Sequence, residues 1–122
     1  MILDGAGCAS VNMAVDESVL LACARGQNAP TVRFYRWRPP AVSVGVFQEV
    51  ASEIDLEACR RLGIDVVRRL TGGGAVLHLH EVTYAVVARQ DLLCGGVLEV
   101  YRRLAGGLLD GIRRLGVEAH ME

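Results

Sequence analysis

The sequence predicts a sheet domain of the α/β or α+β class. Three observations predict it. Strand-type alternation and helical spacing interleave along the chain in the order α-β-β-α-β-β-β-α-β. No repeat, low-complexity stretch or linker divides residues 1–122, so they read as a single domain. Hydrophobic residues make up 52% of the chain, enough to build a core.

The elements follow in order. Asp4 to Ser10 is small and turn-like. Asn12 is placed to N-cap a helix running to about Ala24, with Asp16 and Glu17 in its early turns as solvated residues. Met13, Leu20, Leu21 and Ala24 share its apolar face, and Gly26 to Pro30 ends it. Thr31 to Trp37 alternates and is rich in β-branched and aromatic residues, which predicts a strand. Pro39-Pro40 interrupts regular pairing, and Ala41 to Phe47 reads as the second strand. Ser52 and Asp55 have capping-box spacing before a short helix to Leu62, with Gly63 as its stop. Ile64 to Arg68 is a third strand, Ala75 to Leu77 a short one, and Val82 to Ala88 a strong one. Gly95 to Leu115 carries an amphipathic stripe through Leu98, Tyr101, Ala105, Leu108, Ile112 and Leu115. Gly106-Gly107 inside it costs roughly 1 kcal/mol per glycine against alanine, which close packing on a sheet would explain. Val117 to His120 begins a further strand.

Composition excludes several classes. A net charge of −1 provides no global field for nucleic acid. Apolar runs fall well short of the roughly 20 residues of a membrane helix. Met1-Ile2-Leu3-Asp4 does not resemble a signal peptide, which makes the cytoplasm the default compartment. Cys8, Cys23, Cys59 and Cys94 are scattered without a C-x-x-C pair, so they read as reduced, mostly buried thiols, none with an evident catalytic partner. All 13 basic residues are arginine. Chemistry that needs a lysine ammonium is therefore not completed by these residues alone.

The chemically richest stretch is Arg68-Arg69-Leu70-Thr71-Gly72-Gly73-Gly74-Ala75-Val76-Leu77-His78. Three glycines offer bare backbone, which serves either a tight turn or close approach by a ligand. No Gly-Lys-Ser/Thr follows and the spacing is not G-x-G-x-x-G, so this is neither nucleotide loop. Two adjacent arginines make an anion the natural guest. In a strand they point to opposite faces, and Arg69 shares parity with Thr71, so Arg69 is the one that faces the loop. His78 and His80 would lie on one face of a strand, but no third ligand is evident, so no metal is assigned. His78 alone suits a hydrogen bond to a carbonyl or phosphate. Trp37 is either core or, with Phe47 and Val76, a wall of an apolar tunnel. No serine triad or paired-carboxylate site is visible.

Four motifs occur together: Asn12-Met13-Ala14-Val15-Asp16-Glu17; Arg33-Phe34-Tyr35-x-Trp37-x-Pro39-Pro40-Ala41-Val42-Ser43-x-Gly45-x-x-Gln48; Arg68-Arg69-x-Thr71-Gly72-Gly73-Gly74-Ala75-Val76-x-His78; and Glu81-Val82-Thr83-Tyr84. In this order they resemble the lipoate–protein ligase A and octanoyltransferase family. The resemblance implies the biotin/lipoyl protein ligase fold, which is class II synthetase-like, with a mixed sheet and packed helices. It implies transfer of an octanoyl or lipoyl group to a lysine of a lipoyl domain or of the glycine cleavage H protein. Octanoyltransferases of the family take octanoyl from acyl carrier protein, some through a cysteine thioester. Ligases use lipoate with ATP and Mg. Asn12-Met13-Ala14 and Glu81 to Tyr84 lean towards the octanoyltransferase branch.

By motif match, Arg69 would contact the acyl or nucleotide phosphate region. Thr71, Gly72, Gly73, Gly74, Ala75 and Val76 would line the cleft, and His78 would sit near the reacting head. Trp37, Gly45 and Gln48 would shape the pocket. Leu79 stands where the family commonly carries Asp. The family's lysine motif and thioester cysteine fall beyond Glu122. The expectation is therefore the N-terminal half of the catalytic domain, incomplete as a fold and weak or inactive alone. The rival reading is a non-catalytic acyl- or partner-binding module that self-associates or recruits a partner through its open sheet edge.

Overall fold

The structure is a computed structural model that describes residues 1–93 and 95–121. The chain forms two compact units, Met1–Ala88 and Arg89–Glu122. The larger unit contains β1 (Ile2–Gly7), α1 (Ala9–Ala24), β2 (Thr31–Trp37), β3 (Ala41–Val44), α2 (Val50–Glu53), α3 (Leu56–Leu62), β4 (Asp65–Arg68), β5 (Val76–His78) and β6 (Thr83–Val87). The smaller one contains a 3-10 turn, Gln90–Leu92, and α4 (Val97–Arg114).

The strands form two three-stranded sheets in place of the one expected, ordered β1-β2-β6 and β4-β3-β5. Both are mixed: β2 runs parallel to β1 and antiparallel to β6, and β3 runs parallel to β4 and antiparallel to β5. Side-chain alternation along β3 divides the core in two. Ala41 joins Ala9, Tyr35 and Trp37 in one cluster, while Val42 and Val44 join Cys59 in the other. Ser43 shares parity with Ala41 and is 2% exposed.

Several local readings need correction. The turn-like opening is strand β1; its residues are mostly exposed, so backbone pairing to β2 builds it without an alternating apolar signal. Helix α1 starts after Cys8, and Asn12 is not its cap. The Asn12 amide instead donates to Gly7 O at 3.3 Å and Arg36 O at 3.0 Å from inside the helix. Leu20 and Leu21 are exposed; the inward face of α1 carries Ala9, Asn12 and Cys23, with Met13 packed alongside. The second strand ends at Val44, three residues early, because the chain turns at Gly45. Ser52 belongs to α2, and Asp55 alone caps α3, accepting from Ala58 N at 2.9 Å. Gly63 stops α3 in the left-handed conformation, φ 66°, as expected.

In the smaller unit, α4 lies within the expected span, and none of its described residues is buried. A Cβ at Gly106 or Gly107 would meet no atom within 4 Å, so close packing does not account for them. No strand forms over residues 117–120. Among the described residues no helix is long and apolar enough to cross a membrane.

Candidate active site

Parallel strands β3 and β4 end side by side, with Val44 opposite Arg68. Both strands then give way to loops that lie against each other. Arg69 N donates to Val44 O at 3.0 Å and Val46 N to Thr71 O at 2.9 Å. Gln48 Oε1 accepts from Gly45 N at 2.8 Å and closes the first loop. A Cβ at Gly45 would overlap Gly73 O and lie 3.2 Å from Gly72 C. Gly45 is therefore required where one loop crosses the other. Gly73, φ +92°, takes a conformation that L side chains rarely adopt. Part of the close approach that bare backbone permits is thus made by the chain itself.

Both arginines grip this crossing. Arg68 donates to Gly45 O, Val46 O and Gln48 O at 2.9, 3.2 and 2.8 Å. Arg69 donates through one terminal nitrogen to Ser43 O at 2.9 Å and Ser43 Oγ at 3.2 Å. Its other terminal nitrogen donates to Gly72 O at 2.8 Å and Gly74 O at 2.7 Å. All these acceptors are neutral. Among the described residues neither arginine meets a carboxylate, so the pair's charge is not cancelled locally. The amides of Gly72, Gly73 and Gly74 also have no acceptor among the described residues. Phe47, 92% exposed, and the exposed Leu70 place apolar surface on these loops, and the exposed Val76 and Leu77 continue it into β5.

Trp37 is not on that rim. It is buried in the core cluster, with its indole N–H donating to Thr83 Oγ1 at 2.7 Å. Its ring stacks on His78 at 4.1 Å between centroids. Phe47 and Val76 stand in solvent, so the three residues do not form one wall. His78 is 6% exposed and His80 is exposed, so the expected shared face of two histidines is absent. Among the described residues no group of three or more His, Cys, Asp or Glu could hold a metal.

His78 Nε2 lies 2.8 Å from Ser43 Oγ, and Nδ1 is hydrogen-bonded to Glu81 Oε1. Thr83 Oγ1 donates to the same carboxylate oxygen at 2.8 Å. Burial alone would raise the Glu81 pKa, but the hydrogen bonds from His78 and Thr83 hold it below the usual value. Ser43, His78 and Glu81 thus have the connectivity of a serine triad, which the sequence did not reveal. Ser43 is buried, however, and its oxygen is shared between His78 and Arg69, so it is not presented to a substrate.

A second polar cluster was missed entirely. Arg33, 3% exposed, donates to Asp4 at 2.6 Å, Asp16 at 2.7 Å, Asn12 O at 2.9 Å and Asn12 Oδ1 at 3.1 Å. Its guanidinium lies 4.1 Å from the Tyr35 ring centre, and Tyr35 donates to Asp16 at 2.9 Å. Asp16 is consequently half-buried and paired, not a solvated helix residue; Glu17 is exposed. Burial alone would lower the Arg33 pKa, but Asp16 and Asp4 raise it. The available signal was parity: Arg33 shares the inward face of β2 with Tyr35 and Trp37, and Asn12 and Asp16 are one helical turn apart. Of the cysteines, Cys23 and Cys59 are free and buried, and Cys8 is half-exposed with its pKa lowered mainly by the Ser10 hydroxyl. Cys94 lies outside the described residues.

Two mixed sheets and a glycine loop braced by paired arginines define a class. Residues 8–122 match the family model of the lipoyl protein ligase A/B catalytic domain, and the chain belongs to that family. It is similar to octanoyltransferase LipM of Symbiobacterium thermophilum, 53% identical over 108 residues, covering 88% of this chain and 39% of that one. A Thermoplasma acidophilum protein solved with bound lipoic acid superimposes with a TM-score of 0.80 at 30% identity, over 98% of this chain and 48% of that one. The structure of a bi-partite lipoate protein ligase and its E2 lipoyl domain from the same organism gives 0.79 at 29% identity, over 99% and 47%. The chain therefore spans about two fifths of the length of the octanoyltransferase, 39%, and under half of these solved chains.

Proposed function

We propose that these 122 residues supply the acyl cradle of an octanoyltransferase of protein lipoylation. One observation carries the reading. Arg68 and Arg69, with no carboxylate partner among the described residues, shape a loop whose three glycine amides lack acceptors and whose neighbours are exposed and apolar. Such a site suits a medium-length acyl chain ending in a carbonyl or carboxylate. The apolar side chains cover the tail, and amide donors meet the oxygen, where they stabilise negative charge as it develops during acyl transfer. Arg69 commits both terminal nitrogens to protein acceptors, so it holds the loop's shape while its charge favours an anionic guest.

Octanoyl carried by acyl carrier protein is the proposed donor. A lysine of a lipoyl domain or of the glycine cleavage H protein is the proposed acceptor. The octanoyltransferases among the relatives favour octanoyl transfer over ATP-dependent ligation. The sequence contains no lysine, so the proposal assigns these residues binding and orientation, not lysine chemistry.

Two measurements test this. Calorimetry on the 122-residue chain should detect octanoate and lipoate and not butyrate. Mass spectrometry on the whole protein should show octanoyl transfer from acyl carrier protein to a lipoyl domain without ATP. Lipoate attachment that requires ATP would instead support the ligase reading, and absence of any acyl binding would reject the cradle.

A further inference from the structure

The hydrogen bonds behind the glycine loop form one chain: Trp37, Thr83, Glu81, His78, Ser43, Arg69, and then the carbonyls of Gly72 and Gly74. It crosses between the sheets, from the end of β2 to the loop after β4. Its two outermost side chains have a property in common. The indole of Trp37 and the guanidinium of Arg69 are donors only. An ionised carboxylate, Glu81, accepts only.

These constraints set the direction of every link. Trp37 donates, so Thr83 Oγ1 accepts and spends its own proton on Glu81. Glu81 cannot donate, so the proton between it and His78 belongs to Nδ1. Arg69 donates to Ser43 Oγ, and the Ser43 hydroxyl proton then goes to the remaining acceptor, His78 Nε2. All links are satisfied at once by the Nδ1–H ring and by no other neutral form. With Nε2 protonated and Nδ1 bare, Nδ1 would face the Glu81 carboxylate with two acceptors and no proton between them.

We infer that Glu81 and Thr83 are positioning residues that hold His78 as its Nδ1–H tautomer, and that Ser43, bonded to the bare Nε2 of that ring, aims Arg69 at the glycine loop. The loop's shape is therefore set from the buried core and not by its own residues alone. Ser43 acts in this relay as a coupling hydroxyl, with no bond-forming role. The functional consequence rests on the proposed acyl cradle; the tautomer does not.

The test is long-range ¹⁵N NMR of the three histidine rings at a pH where they are neutral, on the 122-residue chain. His78 should give the Nδ1–H pattern in the unaltered protein. Thr83→Val keeps a branched strand residue but removes the hydroxyl that fixes Glu81, and Glu81→Gln removes the anion. Both should mix or reverse the His78 tautomer and move the Gly72, Gly73 and Gly74 amide resonances. Thr83→Ser should restore both readouts. Ser43→Ala should leave the tautomer in place, move the same glycine resonances, and weaken octanoate binding about tenfold, the scale of one hydrogen bond to a charged group. An Nε2–H ring in the unaltered protein would overturn the inference whether or not any acid binds. So would glycine resonances that ignore all the variants. If the tautomer and loop respond as stated but octanoate never binds, the relay stands and the acyl reading fails.

Discussion

Two arginines organise this fold, and they do so with opposite electrostatics. Arg33 is buried between α1 and the first sheet, and it faces two carboxylates, Asp4 and Asp16. Arg69 lies at the loop crossing and makes a comparable number of bonds, all to neutral oxygens. Hydrogen-bond counts alone would rank them as equivalent. Charge separates them. A desolvated guanidinium without a counter-ion is costly, so the buried site supplies carboxylates. A guanidinium near solvent tolerates neutral partners and keeps its field for whatever binds. The first arrangement holds elements together; the second keeps a surface loop shaped and cationic.

The largest effect that checks this contrast is on Arg33. Arg33→Met should destabilise the protein by about 3 kcal/mol, because Asp4 and Asp16 lose their shared counter-ion and Asn12 two hydrogen bonds. Urea unfolding measures it. A loss no larger than that of Arg69→Met would remove the distinction between the two sites.

Gly45→Ala comes next, because the added carbon overlaps Gly73 O, a backbone atom that cannot rotate away. Overpacking of this kind costs about 1–3 kcal/mol. The loop displacement should also abolish octanoate binding, read by calorimetry. A variant of normal stability and affinity would show that the loops do not cross as tightly as the structure has them.

Arg69→Lys keeps the charge and loses the planar fork that bridges Gly72 O, Gly74 O and Ser43. Stability should fall by only about 1 kcal/mol, since the site is near the surface. Octanoate affinity should fall more than that stability loss suggests, because the loop is no longer held. If affinity is retained, charge alone suffices and the shape argument is wrong.

How much of this was legible follows the same division. The glycine loop, Gly45 and the paired arginines are local signals, three glycines and two cations in a row, and the structure brings them together at one loop crossing. The strands of β2, β3 and β6 were legible because alternation is local too. Strand β1 was not, because an exposed edge strand needs no apolar period. Asp16 was misread as solvated because its partner is 17 positions away, and a helix position that looks outward by composition was turned inward by a buried arginine. Ser43, Glu81 and Thr83 are unremarkable by type. Only the pairing of β3 with β5, and the proximity of the two sheets, makes a relay of them.

The smallest effects are in pH, and they distinguish the two regions by sign. Burial, then the Asp16 charge, raise the Tyr35 pKa, so the folded protein holds that proton more tightly than the unfolded chain. Stability from this source is complete below about pH 10, where the unfolded tyrosine stays protonated. Above it the unfolded state loses the proton first, so stability falls as pH rises. Between pH 10 and 10.5 the fall should be under about 1 kcal/mol, and Tyr35→Phe should remove it. Glu81 behaves in the opposite sense. Its lowered pKa gives stability that is present above the ordinary carboxylate value, about 4.3, and is lost as pH falls through the folded value. Glu81→Gln should flatten the acid limb and change the alkaline limb only slightly, because the Glu81 charge is the least of the influences that raise the Tyr35 pKa, while Tyr35→Phe should flatten the alkaline limb. Urea midpoints across both limbs decide the matter: if either variant alters the limb assigned to the other as much as its own, the buried arginine cluster and the loop relay are one coupled network and not two.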